Sequence, residues 1–303
     1  MGNARWQRWL VAAHGLAIAL WMGLAWRGNS PWLALAGPVA VPLASRLLML
    51  PQFLLMAAVR AHAGEPRPTA GALLRGWWTE SRWAALVFGW WQPFRHRALP
   101  DWLPPPAPGQ PAARGVVLVH GYLCNRGFWL PWLRLLRARG HPYVALTLEP
   151  AFGSIDDYAG AIEAAVQRVQ AATGRAPLVV GHSMGGLAIR AWLRAVPGAE
   201  ERAHRLVTLG TPHHGTWPAQ HARSTNGRQM VPDSPWLRAL AAAEPAARRA
   251  RFVCWQSDGD NVVYPARAAW LEGADNRVLA GVPHVALAFY PEVVAQCLAW
   301  LDE

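Results

Sequence analysis

Lysine is absent from this chain: all 29 basic residues are arginine. That excludes Schiff-base and pyridoxal chemistry and the GK[ST] phosphate loop, each of which needs a lysine amine. Cysteine is scarce. Cys124, Cys254 and Cys297 are odd in number and form no CxxC pair, so neither a disulfide framework nor a CxxC metal site is implied, and they read as buried thiols in a reducing compartment. Charge is also sparse, at 16% of residues against 53% hydrophobic, and 19 tryptophans are present. Disorder is thereby excluded, and a membrane contribution is suggested.

The formal net charge of +11 is unevenly spread. Residues 1–111 hold 10 Arg and 3 acids, whereas residues 112–303 hold 19 Arg and 15 acids. No basic cluster with interleaved aromatics and no base-reading motif accompanies the excess, so no nucleic-acid partner is expected. Arginines flanking apolar segments account for it better. Residues 9–26, WLVAAHGLAIALWMGLAW, carry no formal charge over 18 positions, near the lower limit for crossing a hydrocarbon layer of about 30 Å. A second apolar run, 31–59, is long enough to cross once, although Pro38, Pro42, Pro51 and Arg46 interrupt it. Arg46 must snorkel or face protein. A signal peptide cleaved near ALAG (34–37) is the alternative for the first run, and the second run following at once argues against it.

Arg5 and Arg8 precede the pair of runs, and Arg60, Arg67, Arg75 and Arg82 follow it. This bias predicts a membrane hairpin with both flanks and the rest of the chain on the cytoplasmic side. Trp83, Leu86, Val87, Trp90, Trp91 and Phe94 recur at the spacing of one helical face, either an interfacial helix or one packed on the soluble part. The proline-rich stretch 98–114 reads as a stiff linker. The organisation expected is a membrane-associated helical region over 1–97, a linker over 98–114 and a globular domain over 115–303. In the last, strands at 115–120, 142–148, 176–182, 204–210, 251–257 and 276–281 alternate with helices at about 128–139, 154–172, 184–196 and 291–301. Such alternation implies an α/β fold with a mainly parallel sheet covered on both faces, whose ligands sit beyond the carboxyl ends of the strands.

Gly181, Ser183 and Gly185 satisfy G-x-S-x-G between a strand and a helix, where small neighbours allow a sharp turn that exposes the serine hydroxyl. A serine nucleophile needs a base, and the base needs an acid. Two later strand-end loops offer them: SDGDNVVYP (257–265) brings Asp258 and Asp260, and GVPHVALAFY (281–290) brings His284. An oxyanion hole needs two backbone N–H groups. Met184 follows the serine and supplies one, and Tyr122, after Gly121 at the end of the first strand, supplies the other.

Taken in order, VVLVHGY, VVGHSMGG, TLGTPHHGT, DNVVYP and GVPHVAL resemble the bacterial lipase and esterase branch of the α/β-hydrolase superfamily over residues 112–303. The resemblance implies an α/β-hydrolase fold behind an N-terminal membrane region. It implies Ser183 as nucleophile, His284 as base and, from S-x-x-D-x-x-V-x-P, Asp260 rather than Asp258 as acid, with Tyr122 and Met184 forming the oxyanion hole. His213 and His214 are then structural residues near the site rather than metal ligands, His120 and His182 support the turns, and no cofactor or metal is required. His14 is a tolerated polar residue in the first apolar run or, less simply, a proton relay. The segment 215–240 is a candidate lid or acyl-binding cap. The function expected is hydrolysis of lipid or other hydrophobic acyl esters at a membrane, the bacterial inner membrane being implied. A tethered small-ester esterase, an acyltransferase and a catalytically inactive binding protein are the alternatives.

Overall fold

The structure is a computed structural model that describes residues 2–105 and 112–303. Its centre is a parallel six-stranded sheet in the order β2-β1-β3-β4-β5-β6, formed by β1 (Val116–Val119), β2 (Tyr143–Ala145), β3 (Leu178–His182), β4 (Arg205–Leu209), β5 (Phe252–Ser257) and β6 (Asp275–Leu279). β1, β3 and β5 are buried along their full length, as valine-rich strands covered on both faces must be. β2 is shorter than the expected 142–148, because the chain leaves the sheet edge after Ala145.

The helical region before the sheet comprises α1 (Asn3–Arg27), α2 (Pro31–Leu47), α3 (Leu50–His62) and α4 (Ala70–Leu86). α1 and α2 lie antiparallel: His14 Nε2 is 2.9 Å from Ser45 Oγ, and Trp21 Nε1 donates to the Leu33 carbonyl at 2.8 Å. His14 therefore ties the two helices together. Gly37 permits this approach, since a Cβ there would sit 2.7 Å from the Trp21 ring. Outward, Trp9, Leu16, Leu20, Leu24, Trp26, Trp32, Leu35 and Val39 are exposed with no polar cover. Among the described residues, three segments are long and apolar enough to cross a membrane: Asn3–Arg27, Pro31–His62 and His284–Asp302. Packing separates them. Val293, Cys297, Leu298 and Leu301 of the last lie in the core beneath the sheet, so it is a helix of the sheet domain.

The second apolar run is not one straight helix. It breaks at Leu48–Met49, just ahead of Pro51, and α3 turns onto the sheet domain, where Phe53 and Met56 are buried against Tyr264. Arg46 faces protein, its guanidinium 5.3 Å above the Trp78 ring. The aromatic face expected over 83–94 also divides. α4 continues as a π-helix from Val87 to Arg95, whose wider turn keeps residues four apart nearly in line. Trp83, Val87 and Trp91 form the inner row, with Trp83 stacked on Phe289 at 4.4 Å, while Leu86, Trp90 and Phe94 stay exposed.

The proline-rich stretch is not free over its first half. Trp102 pairs with Tyr143 through N–H···O bonds of 3.0 and 2.8 Å, covering the edge at β2, and Asp101 accepts from Arg126 and Arg168 at 2.9 Å each. Residues 106–111 of the expected linker lie outside the described residues. Beyond it, α5 (Leu130–Arg139), α6 (Ala159–Thr173) and α7 (Met184–Ala195) follow in turn, and the Ser154–Asp157 capping box forms ahead of α6. The segment after β4 carries three short helices, α8 (Thr225–Gln229), α9 (Pro235–Ala242) and α10 (Ala246–Arg249), and the chain ends with α11 (His284–Leu287) and α12 (Pro291–Asp302).

Phe53 is the main apolar anchor of α3, fully buried and so close to α4 that a Cβ on Gly76 would lie 3.0 Å from its ring. Phe53→Ala should destabilise the protein by about 3–5 kcal/mol, the usual cost of such a cavity, read as a lowered thermal midpoint in detergent.

Candidate active site

Ser183 sits between β3 and α7 with φ 56° and ψ −128°, a backbone region that non-glycine residues avoid. Its N–H donates to the Leu209 carbonyl at 2.8 Å, and its own carbonyl accepts from Thr211 Oγ1 at 2.9 Å. Three glycines make the turn possible. A Cβ on Gly181 would fall 2.7 Å from the backbone of Gly185 and Gly186, one on Gly186 would strike Thr211, and one on Gly185 would enter the carbonyls of Val119 and His120. The helix therefore starts against β1 and β3 with no room for side chains.

The two downstream loops converge on this turn. His284 Nδ1 donates to Asp260 Oδ2 at 2.8 Å, while Asp260 Oδ1 accepts from the N–H groups of Val262 and Val263 at 2.8 and 2.7 Å. Asp258 faces elsewhere, its Oδ1 accepting from Gly281 N–H at 2.6 Å. Geometry thus brings Asp260 to the histidine and uses Asp258 to join two loops. Gly210 is the wedge between serine and histidine: it follows Leu209, and a Cβ on it would lie 3.0 Å from Asp260 Oδ2 and 3.2 Å from His284 Nδ1. Among the described residues no hydrogen bond joins Ser183 Oγ to His284, a contact that often tightens only with substrate bound. Ser183 and His284 are 7% and 5% exposed, so both side chains lie below the surface.

Burial lowers the pKa of His284, but the charge and hydrogen bond of Asp260, with the charge of Glu80, outweigh it and hold the imidazole above its ordinary value. His182 differs. Burial, reinforced by His284, keeps it well below the usual value, and its Nε2 donates to the His284 carbonyl at 3.1 Å while its ring stacks on Phe128 at 4.5 Å. His120 holds the turn after β1, with Nε2 accepting from Leu148 N–H at 2.9 Å and Nδ1 donating to the Gly121 carbonyl at 2.8 Å. Both support the turns as their positions suggested.

Gly121 packs against Ser183, where a Cβ would come 2.7 Å from that of the serine, so the peptide of Tyr122 passes close to the candidate nucleophile. Among the described residues neither Tyr122 N–H nor Met184 N–H donates a hydrogen bond, which leaves both available to an oxyanion. The Tyr122 side chain forms the rim, its hydroxyl 3.0 Å from Ser224 Oγ and its ring edge-on to Phe152. Ser224 belongs to the segment 215–240, which is pinned down by Asn226 Nδ2 donating to the Ala151 carbonyl at 3.0 Å and by Gln229 Nε2 donating to Ser154 Oγ at 2.8 Å. His213 lies deeper, Nε2 3.1 Å from Thr208 Oγ1 and 3.5 Å from Cys254 Sγ. The three cysteines are free and buried.

The helical region contributes residues that sequence reasoning missed. Gln7 of α1 donates to the Leu123 carbonyl at 3.0 Å, Gln52 of α3 accepts from Asn261 Nδ2 at 3.3 Å, and Glu80 of α4 accepts from Val285 N–H at 2.9 Å. One signal was available for Glu80: the first 111 residues hold only three acids, Glu65, Glu80 and Asp101. An isolated acid within GWWTESRW must be either fully solvated or specifically bound.

Residues 116–300 match the alpha/beta hydrolase family. The chain belongs to that family. Among solved structures, this alpha/beta hydrolase resembles the mature lipase BlEst2 of Bacillus licheniformis at 17% identity and TM-score 0.56, over 65% of this chain and 95% of that one. It resembles lipase B of Aspergillus fumigatus at 19% identity and TM-score 0.55, over 69% of this chain and 57% of that one. Likeness at such identities bears on the fold. No curated protein matches the chain by sequence. The glycine packing of this alpha/beta hydrolase gives a direct test: Gly185→Ala, with its methyl driven into the Val119 carbonyl, should lower the thermal midpoint and remove labelling of Ser183 by a fluorophosphonate. Retention of both would contradict the packing described.

Proposed function

We propose that this alpha/beta hydrolase cleaves carboxylic esters, with lipid or other hydrophobic acyl esters as its substrates, through an acyl-enzyme on Ser183. The observation that carries the reading is the His284–Asp260 hydrogen bond of 2.8 Å beside a serine held at positive φ. In this reading Ser183 Oγ attacks the ester carbonyl, His284 accepts its proton and returns it to the leaving alkoxide, and Asp260 fixes the imidazole tautomer and balances its charge. The N–H groups of Tyr122 and Met184 receive the oxyanion, and losing one such donor typically costs about 3 kcal/mol of barrier. Water then releases the acid by the same route.

Support for a hydrophobic substrate comes from the exposed apolar hairpin of α1 and α2, whose first residues reach the loop after β1: Asn3 donates to the Cys124 carbonyl and Gln7 to that of Leu123. A hairpin of this composition, seated in the bacterial inner membrane with the catalytic domain on the cytoplasmic face, sets the site beside the lipid surface. Ser183→Ala should abolish both fluorophosphonate labelling and ester turnover by the detergent-purified protein. A series of p-nitrophenyl esters should give highest kcat/KM at long acyl chains; a maximum at acetate or butyrate would instead favour a tethered small-ester esterase.

The pH dependence follows from the direction of the His284 shift. A general base works only when neutral, and the raised pKa keeps this imidazole protonated to higher pH, so the acid limb of kcat/KM should lie above pH 6.5. Asp260→Asn removes the main cause of the rise and leaves burial to lower the pKa. The limb should then move to lower pH while kcat falls on the order of 10³–10⁴-fold, as when a triad acid is neutralised elsewhere.

A further inference from the structure

Glu80 is a buried acid that the triad chemistry does not use, 2% exposed in the middle of α4. Its carboxylate accepts from Val285 N–H at 2.9 Å (Oε1) and 3.0 Å (Oε2), and from Ala286 N–H at 3.3 Å (Oε2). These are the two peptide groups that follow His284. The histidine is thus held from several sides: Asp260 takes its ring N–H, Asn261 Oδ1 accepts from its backbone N–H at 3.2 Å, His182 donates to its carbonyl, and Glu80 holds the next turn of chain. Among the described residues, Glu80 is the carboxylate that the N-terminal helices bring to the chain directly after His284.

A neutral glutamine could satisfy the same peptide groups, so a buried carboxylate calls for a charged counterpart. The charged and titratable groups acting on Glu80 are His284 and Asp260, from the two catalytic loops, and His182 of β3 lies behind the His284 ring at 4.6 Å between centroids. Asp260 repels Glu80 and His182 is kept neutral by burial, which leaves the His284 imidazole as the positive partner. That ring becomes positive when it takes the proton of Ser183. We propose that Glu80 is a positioning residue and a second anionic partner of His284, so that the N-terminal helical region completes the catalytic apparatus instead of only attaching it to a membrane. The proposal rests on the reading of His284 as the general base.

Burial pushes the Glu80 carboxyl up to about 7, against lowering by His284 and by the Val285 N–H bond. Its ionisation therefore falls in the range where the base must work. As pH rises through that value Glu80 becomes charged and supports the imidazolium more strongly. The same ionisation opposes folding: the raised pKa favours the folded state fully below the ordinary carboxyl value, and this contribution is lost as pH rises through about 7.

The test compares the full-length protein in detergent micelles with Glu80→Gln, which keeps an acceptor oxygen and loses the charge, and with Glu80→Ala, which loses both. The pKa of His284 is read by NMR on ¹⁵N-histidine-labelled protein, its resonance assigned by its loss in His284→Asn, and kcat and KM are read on a short soluble ester. In Glu80→Gln the His284 pKa should fall by about half a pH unit or more, with kcat down about tenfold and KM within about twofold. Glu80→Ala should lose more, and misfolding of that variant leaves the glutamine comparison intact. A His284 titration unmoved in Glu80→Gln overturns the proposal, whatever the change in kcat. Because this titration needs no turnover, failure of the ester reading is recognised separately, as a wild-type protein that neither hydrolyses esters nor reacts with a fluorophosphonate.

Discussion

The close approach of α7 to β1 and β3 is the constraint on which the site depends. Gly181, Gly185 and Gly186 leave so little space that backbone meets backbone, and the chain can make the turn only by forcing Ser183 to positive φ. Strain of this kind persists only where surrounding structure holds it, and here the Leu209 carbonyl and the Thr211 hydroxyl do so from the neighbouring strand and its loop. Gly121 and Gly210 extend the same economy to both sides of the serine. One lets the loop after β1 pass over it, and the other admits His284 and Asp260 beside it.

A second set of interactions joins the helical region to each of the loops around that turn. Gln7 meets the loop after β1, Gln52 and Arg60 meet the loop after β5 at Asn261 and the Asp258 carbonyl, and Glu80 meets the chain after His284. All are polar contacts made by otherwise apolar helices. Arg60 is additionally paired with Glu65 at 2.8 Å, and Glu65 accepts from Ala266 N–H at 2.9 Å, so two of the three acids in the first 111 residues serve this seam. The third, Asp101, ties down the sheet edge. A segment so poor in acids spends none of them on open solvent.

Much of this was legible in the residues. Valine-rich strands and the G-x-S-x-G turn are local signals, and they placed the six strands along the chain closely. Of the residues the motif order singled out, His284 meets Asp260 while Asp258 turns to Gly281, and Ser183 occupies the strained turn between β3 and α7. What escaped was tertiary. Apolar periodicity cannot distinguish lipid from a protein surface, so residues 31–59 read as one span although α3 packs on Tyr264. Nor does a 3.6-residue pattern anticipate a π-helix, in which the aromatic face from Trp83 to Phe94 separates into two rows. Polar contacts between residues about 200 positions apart, such as Glu80 with Val285, leave no periodic trace at all.

The stretch that looks like a natural place to cut the chain, the prolines before β1, is therefore not where the packed unit begins. A fragment starting at residue 112 would uncover Phe289 and Val285, leave the Val285 and Ala286 peptides without their acceptor, and bare the edge that Trp102 now closes. Cutting between α2 and α3, at Leu48–Met49, would keep every one of these and part with the greasy hairpin, its hold on the loop after β1, and its bonds to Pro93 and Trp77. For anyone seeking a water-soluble form, the hinge inside the apolar run is the better scissor point.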